Sequence, residues 1–417
     1  MIRLRYGTTA FTMAAEEVSS VVSPPAVAPA APPQELVGAA LDGCREQLAR
    51  FRRGERVVVV VSDITRYTAS EVFLPILLER LTQTGISPED VTLLVALGIH
   101  RKQTPEEHAA LAGPLYGRVR IVDHDCDDGQ GMVTLGVTSG GVPVEVNRLA
   151  VEADRLILTG AVGFHYFAGF SGGRKSLLPG IASRRSCMAS HFMVLNPSEG
   201  SGKNPRAATG VLEGNPVHRA MEEACAMAPP DFILNTVVSA DKRLLACFAG
   251  DWREAHARGC EFYRSSFCCP VETAADLVVV SCGGWPKDIN VIQAHKSMEY
   301  GARALRPGGV MILLAECRDG HGNPTFYDWF SHAGLAELES SLRRRYEING
   351  QTAYSLLEKA LRYRIIFVSS LPAAQVEGMR MLPARSLEEA LDLARPMLPP
   401  SPRVTVIPEG GSVLPVA

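Results

Sequence analysis

Five valines in succession, Val57–Val61 within RVVVVVSDITR, narrow the choice of fold more than any other feature of this chain. A β-branched run without polar alternation suits a strand buried on both faces, as in parallel sheets covered by helices. The run ends in a polar loop carrying Asp63, Thr65 and Arg66. The theme then repeats. SEVFLPILLERLTQTG predicts a helix with Ser70 as its N-cap and Gly85 as its stop. VTLLVALG predicts the next strand, ending at Ile99, His100 and Arg101, and Thr104 with Pro105 opens another helix. RVRIVDHDC gives a further strand ending at His124 and Asp125, and VEADRLIL another. Strand, polar loop, helix, strand is the pattern of a mainly parallel α/β sheet.

The remainder divides on composition. Residues 1–18 supply an edge strand and a turn, and Ser19–Pro33 is a Pro/Ala-rich extended surface piece. A short helix is expected over Glu35–Phe51. PPDFILNTVVSA and RLLACFAGD read as two paired strands, and DWREAHARGCEFYR as a helix. TAADLVVVS then starts a fresh strand, followed by VMILLAEC and RIIFVSS. The expectation is two α/β domains, residues 1–268 and 269–417, with the active site in the cleft between them. A length of 417 residues is consistent with more than one core.

The net charge of −3 gives no electrostatic reason to expect nucleic acid or an anionic membrane as partner. No apolar run reaches the ~18 residues of a membrane span, and the N-terminus lacks the apolar core of a signal peptide. Ten cysteines without any C-x-x-C argue for reduced thiols, hence a cytoplasmic protein.

Chemistry-bearing residues recur at the predicted strand ends: Asp63 and Arg66, His100 and Arg101, His124, and then the stretch TGAVGFHYFAGFSGGRKSLLPGIASRRSCMASH, Thr159–His191. Ligands of open α/β sheets bind at the carboxyl ends of strands, so this recurrence marks a candidate site. The stretch holds His165, Gly169, the Ser171-Gly172-Gly173 turn, the basic pair Arg174-Lys175, and His191. It is not a P-loop, because Arg174 separates Gly173 from Lys175. Glycines let backbone N–H groups approach an anion, which makes the 171–173 turn a candidate phosphate cradle. A glycine turn with a solvated basic pair is the bland alternative. His100 and His165 are the natural acid/base candidates, since imidazole titrates near neutral pH; either alone is as easily a structural histidine. Arg66, Gln293 and Lys296 could hold a carboxylate, although IQAHKSMEY also reads as a helix with Lys296 on a solvated face. His124 and Asp125 could orient one another as a structural pair.

The segments SDITR, ALGIHR, GFHYFAGFSGGRKSLLPGIAS with His191 downstream, GNPVH, FILN, AGDWREAH, GGWPKDINVIQAHK and ECRDGHG resemble those of the lactate racemase family. The resemblance runs from about residue 57 to 330 and, more weakly, into the tail. It implies a racemase or epimerase that inverts C2 of a 2-hydroxy acid by reversible hydride transfer. The implied cofactor is a nickel-pincer nucleotide, nickel pyridinium-3,5-bisthiocarboxylic acid mononucleotide, tethered through Lys175 with His191 completing the nickel coordination. It further implies His100 and His165 as the proton-transfer pair, and Arg66, Gln293 and Lys296 as substrate-holding residues. Asp63 falls on a cofactor-side contact. The implied partners are a small 2-hydroxy acid and, transiently, the enzymes of cofactor synthesis.

The chain departs from the family at the pocket wall. Tyr67 follows Arg66 where a proline is usual, Ile292 replaces a tyrosine before Gln293, and YEINGQ lacks a tryptophan expected near Ile348. A substrate other than lactate is therefore expected. The competing readings are a nicotinamide-dependent 2-hydroxy-acid dehydrogenase and a non-catalytic cofactor-binding homologue. No G-x-G-x-x-G follows a predicted strand, which counts against the first; retention of both histidines counts against the second.

Overall fold

The computed structural model describes residues 1–25 and 27–416. The chain forms two compact units. One comprises Val27–Pro197 and Lys203–Ser265; the other comprises Met1–Ala26, Ser198–Gly202 and Ser266–Ala417. We call them the first-sheet and second-sheet units. Residues 1–268 were expected to form one domain; the amino-terminal stretch and Ser198–Gly202 group with the second-sheet unit.

The first sheet has six strands in the spatial order Leu244–Gly250, Phe232–Val238, Arg155–Ala161, Val57–Ser62, Val91–Ala96, Arg120–Asp123. All neighbours are parallel except the first pair, which is antiparallel. The valine run lies near the middle, and Val57–Val61 are all buried. Val57, Val59 and Val61 share a core with Phe73, Leu77 and Leu81 of the helix Ser70–Gln83 and with Phe232.

Helix punctuation follows local chemistry. Thr104 closes a capping box with Glu107, and Gly85 takes φ +98° beyond the Ser70–Gln83 helix. Ser70 is not that helix's cap. Ala69 occupies the position with φ 57°, and the Ser70 hydroxyl donates instead to the Leu111 carbonyl at 2.7 Å. The helix expected over Glu35–Phe51 is two pieces, Pro33–Asp42 and Arg45–Leu48, interrupted at Gly43-Cys44. A β-hairpin, Met132–Val137 with Pro143–Asn147, stands apart from the main sheet.

The second sheet has six parallel strands in the order Leu382–Ala384, Arg364–Val368, Leu305–Leu314, Ala275–Ser281, Val404–Ile407, Ser20–Val21. Ser20–Val21, inside the segment expected to be surface, thus adds an edge strand. A hairpin, Ile2–Tyr6 with Thr9–Met13, sends Leu4 and Met13 into this unit's core. No helix among the described residues is long and apolar enough to cross a membrane.

Candidate functional site

Three adjacent strands of the first sheet end in loops that carry the expected residues: Val57–Ser62 leads to Asp63, Val91–Ala96 to His100, and Arg155–Ala161 to His165. The first two loops meet directly. Asp63 is 4% exposed. Its Oδ2 lies 2.6 Å from His100 Nδ1, and its Oδ1 accepts from the Thr65 amide at 2.8 Å and the Thr65 hydroxyl at 2.5 Å. Burial alone would raise the Asp63 carboxyl, but the bonds from His100 and Thr65 outweigh it and hold it below its ordinary range. Within the protein, the partners of the Asp63 carboxylate are thus His100 and Thr65. Arg66 is exposed and forms no ion pair among the described residues.

His165 sits on a very short hairpin, Phe164–His165 with Gly169–Phe170. Its Nδ1 accepts from the Ala168 amide at 3.3 Å, and the ring stands edge-on to Phe167 with centroids 4.5 Å apart. Gly169 makes the hairpin fit: at φ +78°, a Cβ there would lie 2.2 Å from the Val211 carbonyl oxygen. Asn215 locks the same element, donating to the Phe167 and Val211 carbonyls at 2.8 and 2.9 Å while capping the helix Pro216–Met227.

The 171–173 turn is closely packed within the first-sheet unit. The Ser171 hydroxyl donates to the Ala161 carbonyl at 2.7 Å, and the Gly173 amide to Asn235 Oδ1 at 2.7 Å. A Cβ on Gly172 would fall 2.7 Å from the His256 ring. The Ser171 hydroxyl and the Gly173 amide are thus directed at protein acceptors.

The basic pair separates. Arg174 is 1% exposed and has no carboxylate partner among the described residues. It donates to His218 Nδ1 at 3.0 Å, to His256 Nε2, and to the Phe170 carbonyl at 3.4 Å. Burial pulls its guanidinium below the ordinary value. Burial and then the Arg174 charge push His218 down to about 3 and His256 well below the ordinary imidazole range. His256 Nε2 also lies 2.9 Å from the Ser171 carbonyl. One nitrogen cannot both accept from Arg174 and donate to a carbonyl. We favour acceptance from Arg174, which otherwise loses a partner for a buried charge.

Lys175 turns the other way. Its Nζ lies 5.9 Å from the centroid of the Phe167 ring, and the same ring is 5.1 Å from that of His191. His191, on the helix Arg184–Phe192, is 8% exposed, and burial with the Lys175 charge pushes it down to about 4. Its Nδ1 donates to the Cys187 carbonyl at 2.8 Å, which leaves the Nε2 lone pair for a metal.

The other unit holds the remaining candidates on the helix Val291–Gly301, capped by Asn290. Lys296 Nζ donates to Gln293 Oε1 at 2.7 Å. Both are half-buried with Ile292, while His295 is buried. His124 and Asp125 do not orient one another. His124 is buried between the Ala182 carbonyl and Asn147, whereas Asp125 faces Lys102.

Residues that sequence reading did not single out are Gln103, Arg174 as a buried hub, Asn215, Asn235, His218 and His256. The one available signal was polar residues inside otherwise apolar runs, such as Asn235 in FILN.

Two α/β units, one with histidines, a lysine and an arginine on its strand-end loops, define an α/β enzyme of the isomerase class once the comparisons are added. The chain belongs to the lactate racemase family. The family models for the lactate racemase N-terminal and C-terminal domains match residues 5–202 and 271–415. A lactate racemase of Thermoanaerobacterium thermosaccharolyticum is 38% identical over 367 residues, covering 86% of this chain and 84% of the relative. One of Lactiplantibacillus plantarum is 35% identical over 395 residues, covering 91% and 90%. The structure of the lactate racemase apoprotein from T. thermosaccharolyticum matches at a TM-score of 0.89 and 34% identity, covering 100% of both chains. A Thermotoga maritima protein shares the fold alone, with a TM-score of 0.66 at 20% identity over 92% of this chain and 98% of that one. The chain is a racemase.

Proposed function

We propose that this racemase inverts C2 of a 2-hydroxy acid with a nickel-pincer nucleotide tethered at Lys175. The observation that carries this is the grouping of Lys175 and His191 around Phe167, with His191 held in the tautomer that leaves Nε2 open. No cluster of three or more His, Cys, Asp or Glu residues able to hold a metal occurs among the described residues. A nickel at His191 must then take its other donors from a bound group, and a pincer ligand supplies them. The residues present fit. Lys175 would anchor that group and His191 would ligate its metal; when bound, it accepts and returns the C2 hydride.

The protein's own work is proton handling and orientation. His100 takes or returns the substrate hydroxyl proton in one stereochemical sense, and His165 serves the other. Arg66 pairs with the substrate carboxylate, and Gln293 and Lys296 hold its carboxylate and hydroxyl. A substrate larger than lactate is favoured by Ile292, which stands where the family has a tyrosine and so replaces a phenol with a smaller aliphatic side chain. Ten free cysteines support a reducing compartment, the cytoplasm, where cofactor-synthesis enzymes would load the protein.

The test is intact mass and metal content of protein produced together with the cofactor-synthesis enzymes. Lys175→Ala should abolish the covalent adduct, and His191→Ala should lower nickel retention by about 10-fold or more. An unchanged adduct mass and nickel content in both variants would sink the cofactor assignment.

A further inference from the structure

We propose that Asp63 is a positioning residue for proton transfer: it fixes His100 in the tautomer whose Nε2 is open to the substrate hydroxyl. This rests on the reading of His100 as a proton carrier.

The geometry has a buried end and an open end. The Asp63 side chain is 3% exposed and that of His100 is 44% exposed, with 2.6 Å between Oδ2 and Nδ1. Because the carboxylate can only accept, the His100 proton sits on Nδ1 and the lone pair on Nε2. Thr65 donates twice to Oδ1, which leaves Oδ2 aimed at the ring. When Nε2 takes the hydroxyl proton, the ring becomes an imidazolium and Asp63 stays a carboxylate beside it, lowering the energy of that charge. The nearby Arg66 and Arg101 charges favour the ionised carboxylate further.

The two loops are braced from behind. The Ile64 amide donates to Gln103 Oε1 at 3.0 Å, and the Gln103 amide donates to Asp123 Oδ2 at 2.8 Å. Asp123 Oδ1 lies 2.8 Å from His108 Nε2. This chain ties the Asp63 loop to the His100 loop independently of the dyad.

His165 has a different partner. Its Nδ1 accepts the Ala168 amide, which places the neutral ring's proton on Nε2. The two histidines are therefore held differently, His100 by a buried carboxylate and His165 by a backbone amide. A two-histidine racemase need not have two equivalent histidines.

The experiment is long-range ¹H–¹⁵N correlation spectroscopy of the full-length apoprotein labelled with [¹⁵N]histidine, with His100 assigned through His100→Gln. Wild-type protein should show His100 protonated at Nδ1 and His165 at Nε2. Asp63→Asn should move the His100 proton to Nε2 and leave His165 unchanged. On the cofactor-loaded enzyme it should lower kcat by about 100-fold or more with KM within about threefold, while Asp63→Glu retains the tautomer and recovers part of the rate. A wild-type His100 protonated at Nε2 overturns the proposal without recourse to any variant. So does Asp63→Asn with an unmoved proton or full kcat. Should His100→Ala itself prove fully active, the reading of His100 as proton carrier fails, whereas the tautomer measurement still decides the role of Asp63.

Discussion

The two units share one design and treat the carboxyl ends of their sheets in opposite ways. In the first sheet, consecutive strand ends deliver Asp63, His100 and His165 into loops, and His100 and Arg66 remain open to solvent. In the second sheet, the amino-terminal hairpin roofs the equivalent edge. The Gly7 amide donates to Asp288 Oδ2 at 2.6 Å, and the Trp285 amide donates to the Gly7 carbonyl at 2.8 Å. The Glu316 amide reaches the same Asp288 oxygen at 3.2 Å. The strand ends of a parallel sheet thus offer a place for chemistry, and what decides its use is whether another element covers them. The second unit's candidates, Gln293 and Lys296, lie instead on the helix beyond its roofed loop.

Paired substitutions give the largest contrast. His100→Ala and His165→Ala should each lower interconversion of a single enantiomer by about 10²–10⁴-fold while leaving cofactor loading intact. Asp288→Ala in the other unit should act on stability: two backbone amides lose their acceptor at a buried residue, a cost of about 1–3 kcal/mol read as a lower Tm. A fully active His165 variant would end the two-base mechanism, and an unchanged Tm for Asp288→Ala would show that the roof does not depend on this carboxylate.

Acid should find the first unit's weak point. His218 is pushed down to about 3 and His256 well below the ordinary imidazole range, while in the unfolded chain both titrate near ~6.5. The unfolded state therefore binds more protons below ~6.5. The stabilisation from keeping these rings neutral is complete above that value and declines as pH falls toward the folded-state values. Each ring contributes a slope of about 1.4 kcal/mol per pH unit in that window. Tm should drop between pH 7 and pH 5, and His218→Asn should flatten the drop. A Tm that stays level over that range in the wild type would refute this account of the Arg174 cluster.

The smallest expected effect concerns the wall near Ile292. One or two additional buried methylenes add roughly 1–2 kcal/mol, about a tenfold preference for a longer 2-hydroxy acid over lactate. A panel of 2-hydroxy acids of rising length, assayed for exchange of C2 configuration, checks this; best activity on lactate would remove the enlarged pocket and leave the reaction class intact.

The sequence by itself determined the parallel architecture, because a run such as Val57–Val61 has no amphipathic alternative and must be covered on both faces. It also placed the titratable candidates in strand-end loops, since those loops follow directly from the ends of apolar runs. Glycine positions were legible as special, but the packing of Gly172 against the His256 ring was not. Only the tertiary structure decided that Arg174 turns inward between two histidines while its neighbour Lys175 turns toward Phe167 and His191. Only it decided that Asp63 serves His100, and that the first residues roof a sheet whose strands begin far along the chain. The physical reason is the same in each case. Strand and helix patterns are set by neighbours a few residues apart, whereas a buried charge or polar group is satisfied by whichever partner the fold brings within about 3 Å, and that partner has no fixed distance in sequence.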